Sequence, residues 1–177
     1  MANEMAAEVI IVDDDPSVQR ALKRLLTVHR LPARVYGSAQ EFLDQGVPVS
    51  PCGCLLLDIE MPGINGLELQ AQLRKRGFRL PIVFITGHGT VPMSVEAMKQ
   101  GAMDFVQKPF DSPNLIEIIR KAIVRSRQHA LEQQECLDLE QRLESLSQRE
   151  REVFRFVIAG FLNKQIAFEL GIVEETV

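Results

Sequence analysis

The stretch Cys54-Leu55-Leu56-Leu57-Asp58-Ile59-Glu60-Met61-Pro62-Gly63-Ile64-Asn65-Gly66 decides the fold. An apolar run without alternation ends in an aspartate, and loop-forming residues follow. Such a run suits a strand buried on both faces, as in a parallel sheet. A carboxylate at the C-terminal tip of that strand lies where open α/β sheets hold their ligands. Pro62 and Gly63 force a loop, and Asn65-Gly66 lead into a helix over Leu67 to Arg76. Taken alone, Asp58 reads as readily as a turn residue that ends a strand. The rest of the chain decides between the two readings.

Upstream, Glu8 to Val12 is a short apolar strand that runs into Asp13, Asp14 and Asp15. Asp15 suits an N-cap and Pro16 a first helical turn. Val18, Ala21, Leu22, Leu25 and Leu26 then give one apolar face to a helix over Ser17 to His29. Ala33 to Tyr36 is a second strand, and Ser38 caps a helix over Ala39 to Gln45. Downstream of Asp58, Leu80 to Thr86 is a fourth strand, followed by the loop Gly87-His88-Gly89. A helix spans Val91 to Gln100 and is closed by Gly101. Met103 to Gln107 is a fifth strand, then comes Lys108-Pro109-Phe110, and Asp111 and Ser112 cap a further helix. Strand and helix alternate five times, which predicts a parallel five-stranded sheet with helices on both faces. Five units in this length favour the flavodoxin-like order 2-1-3-4-5. No GxGxxG or GxxxxGK[ST] occurs, so neither dinucleotide nor P-loop chemistry is supported.

Composition narrows the classes further. The 177 residues are 46% apolar and 25% charged with net charge −4, so nucleic acid contact needs a local basic surface. No apolar run approaches the roughly 20 residues that span a bilayer. The N-terminus lacks a basic region followed by an apolar one, which reads as cytoplasmic. Cys52, Cys54 and Cys136 have no partner Cys/His pair at zinc spacing, so reduced thiols are expected.

In the predicted sheet, Asp13, Asp14, Asp58, Thr86 and Lys108 all fall at the C-terminal edge. Each has an ordinary reading by itself: strand end, helix cap or surface lysine. Jointly, one set of polar residues at the same edge of alternate elements points to a site. Clustered carboxylates repel, and Mg²⁺ relieves the repulsion while keeping waters for a phosphate. A carboxylate nucleophile, a metal, an ammonium and a hydroxyl are the parts that in-line phosphoryl transfer needs. His88 reads as an exposed loop residue rather than a catalytic base.

Val12-Asp13-Asp14-Asp15, Leu57-Asp58-Ile59-Glu60-Met61-Pro62, Asn65-Gly66, Ile85-Thr86-Gly87 and Lys108-Pro109-Phe110 together resemble the receiver domain of two-component response regulators. Thr86-Gly87-His88-Gly89, Val91-Pro92-Met93 and Ala97-Met98-Lys99 are similar to the FixJ-like subgroup. The resemblance implies that a sensor histidine kinase phosphorylates Asp58, that Asp13, Asp14, Asp58 and Glu60 hold Mg²⁺, and that Thr86 and Lys108 bind the phosphoryl group. Glu60 would act through its backbone carbonyl and Asp13 mainly through water. Phe105 would be a switch aromatic, phosphorylation would promote a homodimer, and Lys108-Pro109 would be a cis peptide.

From Asn114 to Arg151 the chain has neither Gly nor Pro. A long helix or a helix pair fits, and a solvated linker and a coiled-coil seam fit about equally. Ser147 and Glu150 form a capping box for a helix with an apolar stripe, Val153, Phe154, Val157 and Ile158. Asn163 is expected to cap a shorter helix, Lys164 to Leu170, which Gly171 ends. Leu146 to Val153, Gly160, Asn163 to Ala167 and Leu170-Gly171-Ile172 resemble the first helices of a LuxR-type helix-turn-helix. The predicted organisation is a receiver over 1–127, a linker over 128–145 and a partial LuxR-type domain over 146–177. Lys164, Thr176 and Val177 are its implied DNA contacts, with only the first turn of the recognition helix in this sequence. Arg149, Arg151 and Arg155 suit either phosphate contact or a solvated face. Two other functions fit the same pocket: a Mg²⁺-dependent phosphohydrolase with Asp58 as nucleophile, and a stand-alone phosphorelay module.

Overall fold

The computed structural model describes residues 7–45, 52–87 and 90–173. His88, Thr176 and Val177 lie outside the described residues. The chain divides into two compact units, Met1–Leu131 and Glu132–Val177.

The first unit holds β1 (Glu8–Val12), α1 (Pro16–Val28), β2 (Ala33–Tyr36), α2 (Ala39–Asp44), β3 (Gly53–Leu57), α3 (Gly66–Lys75), β4 (Ile82–Thr86), α4 (Val91–Lys99) and β5 (Asp104–Gln107). The start of α5 (Ser112–Ser145) completes it. The strands form one parallel sheet in the order β2-β1-β3-β4-β5, the flavodoxin-like order expected from the sequence.

The inner strands β1, β3 and β4 read as apolar runs because both faces are covered. Cys54 and Leu56 point into one core with Leu22 and Leu26 of α1 and Leu115 and Ile119 of α5. Leu55 and Leu57 point into the other with Phe42 of α2, Leu69 and Leu73 of α3 and Ala97 of α4. Side chains alternate across a strand, so each run splits evenly between two cores. Burying one Leu or Ile side chain contributes roughly 1.5–3 kcal/mol. Ala21, expected on the buried face of α1, is exposed; Leu22 and Leu26 carry that face.

Local signals set the helix starts. Asp15 caps α1 by accepting from the Ser17 amide at 2.7 Å, with Pro16 in the first turn. Ser38 caps α2 through the Glu41 amide, and Asn65 and Glu68 form a full capping box on α3. At α5, Asp111 accepts from the Asn114 amide at 3.0 Å, and Ser112 is already helical.

The second unit contains the end of α5, then α6 (Gln148–Ile158) and α7 (Asn163–Leu170). The Gly- and Pro-free stretch is thus one helix to Ser145 rather than a pair. The Ser147–Glu150 capping box forms as expected. Asn163 does not cap α7. It is the first helical residue, Leu162 takes the cap position, and the Gln165 carboxamide accepts from the Leu162 amide at 2.9 Å. Gly171 ends α7 in the left-handed conformation, where a residue without Cβ meets no steric penalty. The stripe Phe154, Val157 and Ile158 is exposed, and burial in α7 falls on Ile166 and Ala167.

Candidate functional site

Strand register brings the acids together. Val12 and Leu57 are register partners on β1 and β3, so Asp13 and Asp58, the next residues, emerge side by side. The Asp58 amide still donates to the Val12 carbonyl at 2.9 Å, and the Asp13 amide donates to Tyr36 at 3.2 Å. Both carboxylates are therefore held by backbone that belongs to the sheet. On the other side, the Lys108 amide donates to the Thr86 carbonyl at 2.8 Å, which continues the β4–β5 ladder.

Lys108 Nζ bridges the pair. It donates to Asp13 Oδ2 at 2.7 Å and to Asp58 Oδ2 at 2.9 Å. Both acids are nearly buried, at 2% and 7% exposure, so these charge-assisted bonds are weakly screened. The other oxygens are also held. Asp58 Oδ1 accepts from the Glu60 amide at 3.3 Å, and Asp13 Oδ1 from the Asp15 amide at 2.9 Å. Asp14 is exposed beside them, and one oxygen from each of Asp13, Asp14 and Asp58 lies within 4.8 Å of the others.

Burial pushes the Asp58 carboxyl above the ordinary carboxylate range; Lys108 pulls it back and Asp13 adds to the rise. Burial opposes the charge on Lys108, but its bonds to Asp13 and Asp58 outweigh that and hold the ammonium above its usual value. With three carboxylates ionised and one ammonium, the cluster carries a formal charge of −2. A divalent cation matches that balance, and an all-oxygen donor set matches a hard one.

The loop behind Asp58 depends on Gly66. A Cβ there would lie 2.2 Å from the Asp58 carbonyl oxygen and 2.9 Å from Ile59 Cα. The Gly66 amide donates to the Ile59 carbonyl at 2.9 Å. Beyond opening the helix, Gly66 lets α3 begin against the backbone of Asp58.

Of the other expected site residues, Thr86 is fully buried at the end of β4. Phe105 is half-buried on β5, in register with Phe84 and packed against the core shared with α2, α3 and α4. The Glu60 side chain is exposed, and its amide faces Asp58. Lys108-Pro109 is cis. Cys52 and Cys54 are buried and Cys136 is exposed, none of the three in a disulfide among the described residues, and burial pushes the Cys54 thiol up to about 12.

Residues 9–120 match the family described as response regulator receiver domain. The chain belongs to the response regulator family. Residues 144–177 of this response regulator match the luxR family of bacterial regulatory proteins. It is 43% identical over 175 residues to response regulator protein TodT of Pseudomonas putida, covering 99% of this chain and 77% of that protein. It is 43% identical over 169 residues to transcriptional regulatory protein FixJ of Azorhizobium caulinodans, covering 96% of this chain and 80% of that protein. Among solved structures, response regulator StyR aligns with a TM-score of 0.87 at 42% identity, over 97% of this chain and 86% of that one. Full-length FixJ from B. japonicum aligns at 0.64 and 38% identity, over 96% and 83%.

The protein is a two-component response regulator with a receiver domain, an acidic pocket at Asp13, Asp14 and Asp58, and a LuxR-type DNA-binding domain. A receiver implies a histidine kinase as partner, and a helix-turn-helix implies DNA. The family is one of transcription factors rather than enzymes, which sets aside the phosphohydrolase reading. No helix among the described residues is long and apolar enough to cross a membrane.

In the second unit, Arg149 donates to the Leu170 carbonyl at the end of α7 and pairs with Glu152 at 2.8 Å. Arg151 donates to the Glu144 carbonyl at 2.6 Å. Both guanidiniums tie helix ends together, a role the alternation with acids did not reveal. Lys164 is exposed near the start of α7.

Proposed function

We propose that Asp58 is the phosphoacceptor of this response regulator and that Asp13, Asp14, Thr86 and Lys108 serve its phosphorylation. The observation that carries this reading is the Lys108 ammonium held between two buried carboxylates, one of them at the tip of the central strand. An oxygen of Asp58 bonds to phosphorus, the P–N bond of a kinase phosphohistidine breaks, and the imidazole leaves with the electron pair.

Asp13 and Asp14, with Asp58 and the Glu60 backbone carbonyl, would hold Mg²⁺, which when bound neutralises charge on the phosphoryl oxygens. Lys108 follows the new charge from the carboxylate to the phosphoryl group, and the Thr86 hydroxyl donates to it. Moving Thr86 frees space that Phe105 fills, because both sit at the β4–β5 edge. A phosphoryl group adds about −1.5 to −2 of charge, enough to bias such a two-state edge.

The face of α4, β5 and α5 then pairs with a second copy. Val95 and Met98 on α4 are exposed apolar side chains suited to that contact. We assign residues 1–127 to the receiver, 128–145 to the linker and 146–177 to the DNA-binding part, with Lys164 touching phosphates and Thr176 and Val177 at the DNA surface. A cytoplasmic location fits a protein that meets both kinase and DNA. Incubation with acetyl phosphate and Mg²⁺ is expected to add one phosphoryl group per chain, and none to Asp58→Asn. Equal labelling of Asp58→Asn would overturn the assignment.

A further inference from the structure

Asp14 is the member of the acidic cluster that the sheet supports least. Asp13 and Asp58 are tied to neighbouring strands by their own amides, which donate to Tyr36 and Val12. Asp14 lies in the loop between β1 and α1, and it is exposed. Its carboxylate is nevertheless one of three that gather within 4.8 Å. The group that fixes its backbone therefore shapes the donor set.

That group comes from α1. Gln19, near the start of the helix, donates from Nε2 to the Asp13 carbonyl at 2.6 Å. The acceptor is a carbonyl oxygen, which settles the end of the carboxamide that faces it. A peptide unit is planar, so a bond to the Asp13 carbonyl also orients the Asp14 amide and the direction in which Asp14 leaves the chain. The Gln19 backbone amide donates to the Asp15 carbonyl at 3.0 Å, so one residue grips the loop on both sides of Asp14.

Gln19 is held in its turn. It is half-buried on a helix whose Leu22 and Leu26 lie in the core. Its Nε2 rests against the turn between β2 and α2: a Cβ on Gly37 would stand 3.7 Å from it. That turn is closed by the Gly37 amide, which donates to Glu41 Oε2 at 2.7 Å. A side chain on a packed helix positions its partner more sharply than one on a loop. The carboxamide is also neutral, so it fixes the loop without repelling a cation.

We propose that Gln19 is a positioning residue for the divalent-cation site. By holding the Asp13–Asp14 peptide, it sets the Asp14 carboxylate at the spacing a small, octahedral ion requires. The proposal rests on the reading of Asp13, Asp14 and Asp58 as Mg²⁺ ligands. Mg²⁺ demands near-ideal octahedral geometry, whereas Ca²⁺ accepts irregular oxygen sets. Losing the hold therefore weakens Mg²⁺ more than Ca²⁺, a discrimination that a merely stabilising hydrogen bond does not supply.

Titrations of the 177-residue chain with Mg²⁺ and with Ca²⁺ at about pH 8, followed by amide chemical shifts around Asp58, test this. Gln19→Met keeps the length of the side chain and loses the donor. Its Kd for Mg²⁺ is expected to rise about fivefold, the weight of one hydrogen bond, and that for Ca²⁺ by less than about twofold. Gln19→His, neutral at this pH and able to donate from Nε2, is expected to bring Mg²⁺ binding back to within about twofold of the parent. Circular dichroism in chelator establishes that each variant is folded at the titration temperature. Unchanged Mg²⁺ affinity in Gln19→Met, an equal loss for both ions, or a Gln19→His chain no better than Gln19→Met would overturn the proposal and leave the metal reading standing. A parent chain that binds neither ion at about 10 mM, or whose Mg²⁺ affinity survives Asp14→Asn, would overturn the metal reading and the proposal with it.

Discussion

Gly66→Ala is the substitution whose outcome the structure dictates most sharply. The new methyl would stand 2.2 Å from the Asp58 carbonyl oxygen, 2.9 Å from Ile59 Cα and 3.0 Å from the Asp58 carbonyl carbon. All three neighbours are backbone, so no side chain can swing away. Reaching an ordinary contact needs about 1 Å of movement between the start of α3 and the Asp58 loop. Overpacking of this kind costs about 1–3 kcal/mol. The Gly66–Ile59 hydrogen bond at 2.9 Å is strained by the same movement, at about 1 kcal/mol. Together, about 3 kcal/mol lowers the Tm of the receiver by roughly 10 °C. Displacing Asp58 by about 1 Å also slows its phosphorylation by acetyl phosphate about 100-fold. Gly87→Ala is the control: a Cβ there meets nothing within 4 Å, so its Tm stays level or rises slightly. Thermal melting by circular dichroism gives the first quantity, and phosphate-affinity gels give the second. A Gly66→Ala protein that melts within about 2 °C of the parent would refute the reasoning, since overpacking alone predicts more.

Other outcomes follow from the same geometry. Burial raises the Asp58 carboxyl, so the folded state disfavours its charge, and that cost is present above the raised value and absent below the ordinary 3.8. Asp58→Asn in chelator-containing buffer is therefore expected to raise Tm at neutral pH, with the gain shrinking as pH falls through the carboxylate range. A gain that grew on acidification would carry the wrong sign. Mg²⁺ at about ten times its Kd should stabilise the chain by about 1.4 kcal/mol, and Asp14→Asn should remove most of that shift in a melting titration. Ser147→Ala deletes the capping-box acceptor of α6 and should cost about 1 kcal/mol, read as faster hydrogen exchange at the Glu150 amide. With beryllofluoride and Mg²⁺, light scattering should report a mass near twice that of the monomer, and Val95→Asp should keep it monomeric.

Much of the receiver was legible because its signals are local. Unbroken apolar runs ending in Asp13, Asp58 and Thr86 mark buried parallel strands, and caps at Asp15, Ser38 and Asn65 mark the helices between them. What escaped was set by contacts between residues distant in sequence. The Ser126 hydroxyl of α5 accepts from the Gly53 amide of β3 at 3.0 Å, across 73 positions. The demand at Gly66 arises from the Asp58 backbone folding under it, which no turn preference encodes. Asn163 was misplaced because asparagine is a common cap, whereas Gln165 reaches back and satisfies the Leu162 amide itself. In α6, periodicity identified the apolar stripe, but exposure depends on what packs against it, and Phe154, Val157 and Ile158 stay at the surface.

The most direct test is to map the phosphorylated residue itself. After acetyl phosphate and Mg²⁺, borohydride reduction converts an aspartyl phosphate to homoserine, which tandem mass spectrometry locates in the peptide containing Leu57-Asp58-Ile59. The account predicts homoserine at position 58 alone. Homoserine at position 13 or 14, or none in a protein that still acquires phosphate, would contradict it.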